Sequence, residues 1–167
     1  MKPAQIHFMS RIDEHDRRYM LEALNLAKKA ASGGDAPVGA VIVRNGKVIG
    51  SGYNRIEVEK DPTAHAEIIA LRRAVKASHD WRLPQATLYA TLEPCIMCAA
   101  ALVHARIRRV VFGAWDERWG GFGSLFDFSH DPRINHEIEV VSGVMAKEAA
   151  DLLQSFFRKI RGNSCPS

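Results

Sequence analysis

The chain has 167 residues, of which 47% are hydrophobic and 25% charged, and its formal net charge is +4 at pH 7. This composition predicts one globular domain over residues 1–167 and excludes a disordered or low-complexity protein. Its apolar runs are too short for a membrane span or a signal peptide, so we expect a soluble intracellular protein, and the mild positive charge permits an anionic partner without requiring one.

Hydrophobic periodicity and turn residues predict elements in the order α-β-β-α-β-α-β-β-α. The predicted helices cover residues 13–32, 61–77, 94–105 and 147–161, and the predicted strands cover 39–44, 47–53, 87–91, 109–113 and 137–142. Asn45-Gly46 favours a tight hairpin, and Asp61-Pro62 and Pro94 are typical of helix starts. Helices that alternate with short strands predict an α/β fold, in which helices cover both faces of a mixed sheet.

Three segments are predicted without regular structure. Residues 114–136 form a Gly-rich loop that is long for a compact domain, and such loops are usually functional or mobile. Residues 1–12 and 162–167 are predicted to be flexible ends. Beside the second end, Phe156 and Phe157 fall on the apolar face of the last predicted helix, which favours a place in the core over a stacking role, although one of them could line a pocket rim.

Two of the three cysteines form a Pro-Cys-x-x-Cys motif at the predicted start of a helix. An odd and sparse count argues against a disulfide framework and indicates a reducing compartment. Cys95 and Cys98 share one face of that helix, and its N-terminus favours their thiolate form. With His65 they form a ligand set that suits zinc. Because three protein ligands leave a coordination position for water, the sequence predicts a catalytic site with one ion per chain.

Glu67 lies two residues after His65, where its carboxylate would reach the water position and not the metal. A carboxylate beside metal-activated water can move a proton to a substrate, so Glu67 is the predicted catalytic residue. Each part has another interpretation: the Cys-x-x-Cys pair could be redox-active, His65 could be a core histidine, and Cys165 could supply a fourth ligand. His-x-Glu and Pro-Cys-x-x-Cys together favour the catalytic zinc site.

These paired motifs resemble those of the zinc-dependent nucleobase deaminases. The resemblance implies a three-layer α-β-α, cytidine-deaminase-like fold with a mixed five-stranded sheet. It also implies hydrolytic deamination, in which Glu67 protonates the ring nitrogen and then the departing ammonia. Within that superfamily the chain is similar to the bacterial tRNA-specific adenosine deaminases over nearly its whole length, on the motifs at residues 36–40, 61–68, 92–101, 106–114 and 156–158.

That narrower family converts the wobble adenosine of an arginine tRNA anticodon to inosine. The resemblance therefore implies a cytoplasmic homodimer that binds a tRNA anticodon stem-loop. It makes Asn54, the backbone N–H of Ala66 and Asp116 candidate substrate contacts, with Phe156 and Arg158 as further candidates on the last helix. From the residues alone, Asn54 could instead be a turn residue that closes the hairpin, and Asp116 a solvated loop residue.

Two other functions compete with RNA editing. A deaminase of a free base or nucleoside, such as guanine or cytosine, would not need the Phe-Phe-Arg helix or the basic residues near the C-terminus. A structural zinc module that binds RNA without chemistry would need four protein ligands and would not depend on Glu67. Residues 116–120 differ from the pattern usual in the family. The family usually has Asp-x-Lys-x-Gly where this chain has Asp-Glu-Arg-Trp-Gly, so Arg118 replaces the lysine and the bulky Trp119 occupies a variable position. Both differences bear on the contacts that this loop makes with RNA.

Overall fold

The computed structural model describes residues 13–163, which contain five strands and five helices. The strands are β1 (Gly39–Arg44), β2 (Lys47–Tyr53), β3 (Thr87–Leu92), β4 (Arg109–Ala114) and β5 (Glu139–Ser142). The helices are α1 (Glu14–Ser32), α2 (Ile56–Glu59), α3 (Ala66–Ser78), α4 (Ile96–His104) and α5 (Ala146–Asn163). Of the ends expected to be flexible, residues 1–12 and 164–167 lie outside the described residues, and residues 162 and 163 form the last part of α5.

The strands form one mixed sheet in the order β2-β1-β3-β4-β5. β1 is antiparallel to both of its neighbours, and β3, β4 and β5 run parallel. At the hairpin, Asn45 and Gly46 both have positive φ angles, 52° and 71°, as a type I′ turn requires. The predicted hairpin, the mixed sheet and the α/β class are therefore confirmed.

Helices cover both faces of this sheet and bury an apolar cluster on each. On one face, α3 and α4 pack side chains such as Ala70 and Leu102 against Ile42 and Leu88. On the other face, α1 and α5 pack against the outer side of the same strands, with Met20, Leu24, Val41, Val111 and Ala149 in the second cluster. The result is the predicted three-layer α-β-α arrangement. Across residues 13–163, none of the helices is both long and apolar enough to cross a bilayer.

Two helices begin later than the sequence predicts. Asp61 accepts hydrogen bonds from the N–H and the hydroxyl of Thr63, at 2.8 and 2.7 Å, so it closes a turn instead of capping α3. The N-cap of α3 is His65, and the N-cap of α4 is Cys95, which follows Pro94. Both caps have extended backbone angles. Because His65 and Cys95 are the N-caps, two of the predicted metal ligands lie at the junctions between a loop and a helix.

The C-terminal half of α5 is not the core segment that its apolar stripe predicts. Ala149 is buried and Leu153 packs against the core, but Phe156 is half-buried and Phe157 is 46% exposed. Farther along, Ile160 is 45% exposed. Only the N-terminal half of α5 contacts the core, so the apolar stripe of the helix continues past the point where the buried surface ends. The expectation that both phenylalanines lie mostly in the core is therefore wrong.

A buried ion pair joins α1 to the sheet. Arg109 donates two hydrogen bonds to the carboxylate of Asp16, at 2.7 and 2.9 Å, and the Tyr89 hydroxyl donates another at 3.1 Å. Burial alone would raise the pKa of Asp16, but the hydrogen bonds and the charge of Arg109 outweigh it and hold that pKa below its usual range. Such a carboxylate stabilises the fold above the unfolded pKa of about 3.9, and the contribution is lost as pH falls through the lower folded pKa.

Asp16→Asn is therefore expected to lower the free energy of unfolding by about 3 kcal/mol near neutral pH, because Arg109 loses its buried anionic partner. The difference between variant and wild type should begin to shrink as pH falls below the unfolded pKa of about 3.9, and it should be lost as pH falls through the lower folded pKa, where the native carboxyl takes up its proton. Urea unfolding at a series of pH values measures both quantities. A difference that stays constant into acid would contradict the lowered pKa of Asp16.

Candidate metal centre and active site

Three metal-donor side chains converge where α3 and α4 begin. The donor atoms of His65, Cys95 and Cys98 all lie within 4.8 Å of one another, and Cys95 Sγ is 3.6 Å from His65 Nδ1. Cys98 is buried and the other two side chains are half-buried. Two cysteine sulfurs and one imidazole nitrogen are donors that zinc prefers. The structure thus brings together the three predicted ligands; Cys165, the alternative fourth ligand, lies outside the described residues.

The backbone at the start of each helix sets this geometry. His65 and Cys95 are N-caps, and Cys98 is the third residue of α4, so both cysteines lie within its first turn. The start of α3 is held close to β2, because a Cβ added at Gly52 would lie only 2.6 Å from the carbonyl oxygen of Ala66. Glycine at this strand position lets helix and sheet approach, which fixes His65 relative to the sheet.

The two cysteines differ in acidity. Hydrogen bonding with Cys98 outweighs the effect of burial and, together with the contact to His65, lowers the pKa of Cys95 to about 4. The same hydrogen bond and burial raise the pKa of Cys98, and hydrogen bonding to Cys95 raises the pKa of His65. The lowered pKa of Cys95 favours its thiolate form, which is the form of cysteine that binds metals.

Glu67 lies beside this cluster, where its carboxylate interacts with His65, Cys95 and Cys98, and one of its two oxygens has no hydrogen-bond partner among residues 13–163. Its side chain is 3% exposed, and within residues 13–163 no hydrogen bond reaches Oε2. Burial raises the pKa of Glu67 to about 7. A buried oxygen without a hydrogen bond is costly unless a water molecule, an ion or a bound ligand interacts with it. The donor set and this oxygen fit a catalytic zinc centre, in which three ligands hold the ion and Glu67 faces water or substrate.

Asn54 supports the start of α3. It follows β2, its side chain is buried, and its Oδ1 accepts the N–H of Ala66 at 2.9 Å. His65 makes no side-chain cap of its own, so Asn54 fulfils that role from another segment. The residue therefore does more than close the hairpin. A contact from the Ala66 N–H to a substrate would have to be shared with Asn54, whose own amide N–H groups can still donate.

The other predicted substrate contacts lie on two different elements. Asp116 follows β4 and is close enough to His65 for its charge to help raise that histidine's pKa. Phe156 and Arg158 lie on α5, where the Phe156 ring meets Phe157 edge-on and Arg158 donates to the Ser155 hydroxyl at 3.4 Å. The structure thus places Asp116 near the metal ligands, while the roles of Phe156 and Arg158 stay predictions.

One buried carboxylate near the centre was not predicted. Glu93 is 1% exposed and stands between β3 and the Pro-Cys-x-x-Cys motif. Its carboxylate accepts hydrogen bonds from three residues of the loop after β4. The signal that could have found it is an acidic residue placed directly before a helix start that carries metal ligands.

Known proteins share this fold and these motifs. The family model of the cytidine and deoxycytidylate deaminase zinc-binding region matches residues 13–114. The tRNA-specific adenosine deaminase of Haemophilus influenzae is 52% identical over 149 residues, which are 89% of this chain and 86% of that protein. A solved structure from a study of A-to-I editing by tRNA:A34 deaminases at the wobble position of transfer RNA matches with a TM-score of 0.79 and 44% identity, over 81% of this chain and 99% of that chain.

A solved guanine deaminase from Bacillus subtilis is also similar, with a TM-score of 0.57 and 38% identity over 59% of this chain and 63% of that chain. The likeness to the tRNA:A34 deaminase structure is the more extensive of the two. With the family model it confirms the cytidine-deaminase-like fold, and the model and the donor cluster confirm the expected zinc cofactor.

Proposed function

The chain belongs to the cytidine and deoxycytidylate deaminase family, and from this premise we propose that it is a hydrolase that deaminates adenosine at the wobble position, 34, of a tRNA anticodon. The observation that carries the proposal is the buried Glu67 carboxylate, with an unpartnered oxygen, beside three zinc donors. The 52% identity to a tRNA-specific adenosine deaminase supports tRNA as the substrate.

The reaction replaces the bond between C6 of adenine and its amino nitrogen with a bond between C6 and oxygen. Water adds its oxygen to C6, the C6–N bond breaks, and the products are inosine and ammonia. A bound zinc ion, held by His65, Cys95 and Cys98, supplies the Lewis acidity that makes water nucleophilic at neutral pH. The protein must also move protons, and Glu67 is the group placed to do so.

Glu67 serves as both base and acid. Its carboxylate takes the first proton that water loses and delivers it to the ring nitrogen N1. It then takes the proton of the hydroxyl newly formed on C6 and delivers it to the departing amino group, which leaves as ammonia. A pKa of about 7 suits both tasks, because the carboxyl can hold or release a proton near neutral pH. Burial keeps bulk water from exchanging with this proton. In this scheme the unpartnered oxygen is the one that faces water and substrate.

Asn54 and Asp116 position the adenosine in this proposal. The side-chain oxygen of Asn54 is bonded to Ala66, so its N–H groups are the donors that would meet the nucleotide. Asp116 lies near His65 at the end of β4 and would contact the sugar or a neighbouring nucleotide. Phe156 and Arg158 would contact RNA beyond the active site, where a half-buried ring and an exposed guanidinium suit bases and phosphates.

Two variants separate the structural and substrate roles of Asn54. Asn54→Ala is expected to destabilise the protein by about 1 kcal/mol, because the Ala66 N–H loses its acceptor, and to lower kcat/KM. Asn54→Asp keeps an acceptor for Ala66 but removes the donating amide, so it should unfold near the wild-type temperature and still lose activity. Thermal unfolding and deamination assays measure the pair. Full activity in Asn54→Asp would contradict the substrate contact.

We further propose that the substrate is the anticodon stem-loop of an arginine tRNA and that the enzyme works as a homodimer in the cytoplasm, where tRNA is found. A single-stranded loop lets a base be splayed out at low cost, which a buried active site requires. Exposed aromatic side chains, Trp119 at 63% and Phe126 at 53%, offer stacking surfaces on the loop after β4. Sedimentation equilibrium tests the dimer, with twice the mass of one chain expected and a monomer as the contrary result.

The direct test of function is conversion of an anticodon stem-loop that carries adenosine at the wobble position. After incubation and digestion to nucleosides, inosine should appear in proportion to enzyme and time. A matched stem-loop with the adenosine moved by one position is the control and should stay unchanged. Absence of inosine from the wobble substrate would overturn the proposal. Deamination of free guanine is the second candidate, favoured by the likeness to Bacillus subtilis guanine deaminase.

A further inference from the structure

Glu93 is surrounded by donors from a single loop. Its Oε1 accepts the N–H groups of Phe122 and Ser124, at 3.0 and 3.1 Å. Its Oε2 accepts the N–H of Asp116 at 3.0 Å and the hydroxyl of Ser124. Both carboxylate oxygens are thus used twice, and the side chain is 1% exposed. Hydrogen bonds to an ionised acceptor are about twice as strong as neutral ones, so this carboxylate binds its loop tightly.

The same loop is joined to the turn that carries the metal ligands. The N–H of Ile96 donates to the Trp119 carbonyl, and the N–H of Gly121 donates to the Pro94 carbonyl, each at 2.9 Å. A Cβ added at Gly120 would lie 2.2 Å from Oε2 of Glu93, so the loop backbone passes directly over the carboxylate. Residues 116–124, called the substrate loop below, therefore rest on Glu93 and on the start of α4 together.

A series of hydrogen bonds leads from Glu93 to the exposed tip of this loop. Glu93 accepts the N–H of Asp116, and the Asp116 side chain accepts the N–H groups of Arg118 and Trp119 at 3.0 and 3.3 Å. Trp119 is 63% exposed, so the loop presents a large aromatic surface to solvent. A group that fixes Asp116 also fixes this surface.

We propose that Glu93 is a positioning residue that holds the substrate loop in register with the metal-ligand turn, so that Asp116 and Trp119 meet the RNA strand in a fixed place. The inference rests on the proposed function for the identity of the substrate. It assigns no proton transfer to Glu93: the carboxylate acts as a fourfold acceptor. It follows that a change at Glu93 weakens RNA recognition more than it slows the chemical step.

Glu93→Gln tests this in the zinc-loaded enzyme, since glutamine has the same shape but directs an NH2 group at N–H donors. Hydrogen exchange of peptides from residues 114–128 should speed up by about tenfold or more, which corresponds to about 1.4 kcal/mol of lost protection. Peptides from α1 should not change, and zinc should stay near one ion per chain. KM for the anticodon stem-loop should rise about tenfold, with a smaller effect on kcat. Ser124→Ala, which removes one of the four donors, should give a partial effect in the same direction.

Glu117→Gln is the matched control, because it makes the same chemical change at an exposed position of the same loop and should leave loop exchange at the wild-type rate. Unchanged loop exchange in Glu93→Gln would overturn the proposal. So would loss of zinc with normal loop exchange, which would assign Glu93 to the ligand turn alone. If the wild type forms no inosine, the proposed function fails, yet the exchange comparison still decides whether Glu93 holds the loop.

Discussion

Replacement of Glu67 by glutamine is expected to lower kcat for deamination by about 10³-fold, while zinc content stays near one ion per chain. Glutamine fills the same buried space next to the start of α3 but cannot accept a proton from water or deliver one to the base. Because Glu67 is not one of the three converging donors, the metal should remain bound. Single-turnover rates with the anticodon stem-loop and zinc analysis of the same sample measure the two quantities.

Glu57→Gln provides the matched control for this experiment. Glu57 lies on the short helix α2 and is exposed, so the same substitution there should leave both rate and zinc content at wild-type levels. Substantial activity in Glu67→Gln would contradict the acid–base role. Loss of zinc in that variant would contradict it in another way, because it would make Glu67 a ligand.

Cys95→Ala is expected to reduce bound zinc to a small fraction of an ion per chain and to abolish activity. The substitution removes the thiolate donor and leaves Cys98 and His65, which cannot complete a three-ligand site. Metal binding contributes to folding where the ligands come from separate elements, so the unfolding temperature should also fall. Here the ligands come from the starts of two helices that are joined through the sheet.

Cys165→Ala separates this effect from a general loss of thiols. If three ligands hold the ion, this variant should keep its zinc, its activity and its unfolding temperature. Zinc loss in Cys165→Ala would instead support four protein ligands and the structural zinc module. Normal zinc content in Cys95→Ala would show that the ligand assignment is wrong. Zinc analysis after dialysis measures the metal content of both variants, and thermal unfolding measures their unfolding temperatures.

Local signals account for the parts of the fold that the sequence predicts correctly. The hairpin from Gly39 to Tyr53 is one example, because Asn45-Gly46 specifies its turn without help from distant residues. The start of α3 shows the limit of such signals. Asp61-Pro62 has the composition of a helix start, yet Asp61 bonds to Thr63 in a turn, and the cap falls to His65, which lies where the metal donors meet.

The candidate site divides in the same way. Motif spacing identifies His65, Cys95 and Cys98, because zinc chemistry restricts both residue types and their separation. Spacing cannot reveal Glu93, whose donors lie 23 to 31 residues farther along the chain and approach it only after folding. Periodicity likewise marks an apolar stripe on α5 but not the point where the core ends, which is why Phe157 was misplaced.

The most direct measurement is a comparison of kcat/KM for two substrates under the same conditions: a stem-loop with adenosine at position 34, and free guanine. An enzyme that edits tRNA should deaminate the stem-loop with a kcat/KM at least about 10³-fold higher, since only the RNA supplies the binding energy of the flanking nucleotides. The predicted result is inosine from the stem-loop and negligible xanthine from guanine. Efficient turnover of guanine with no inosine in the RNA would contradict the proposed function and favour the deaminase of a free base.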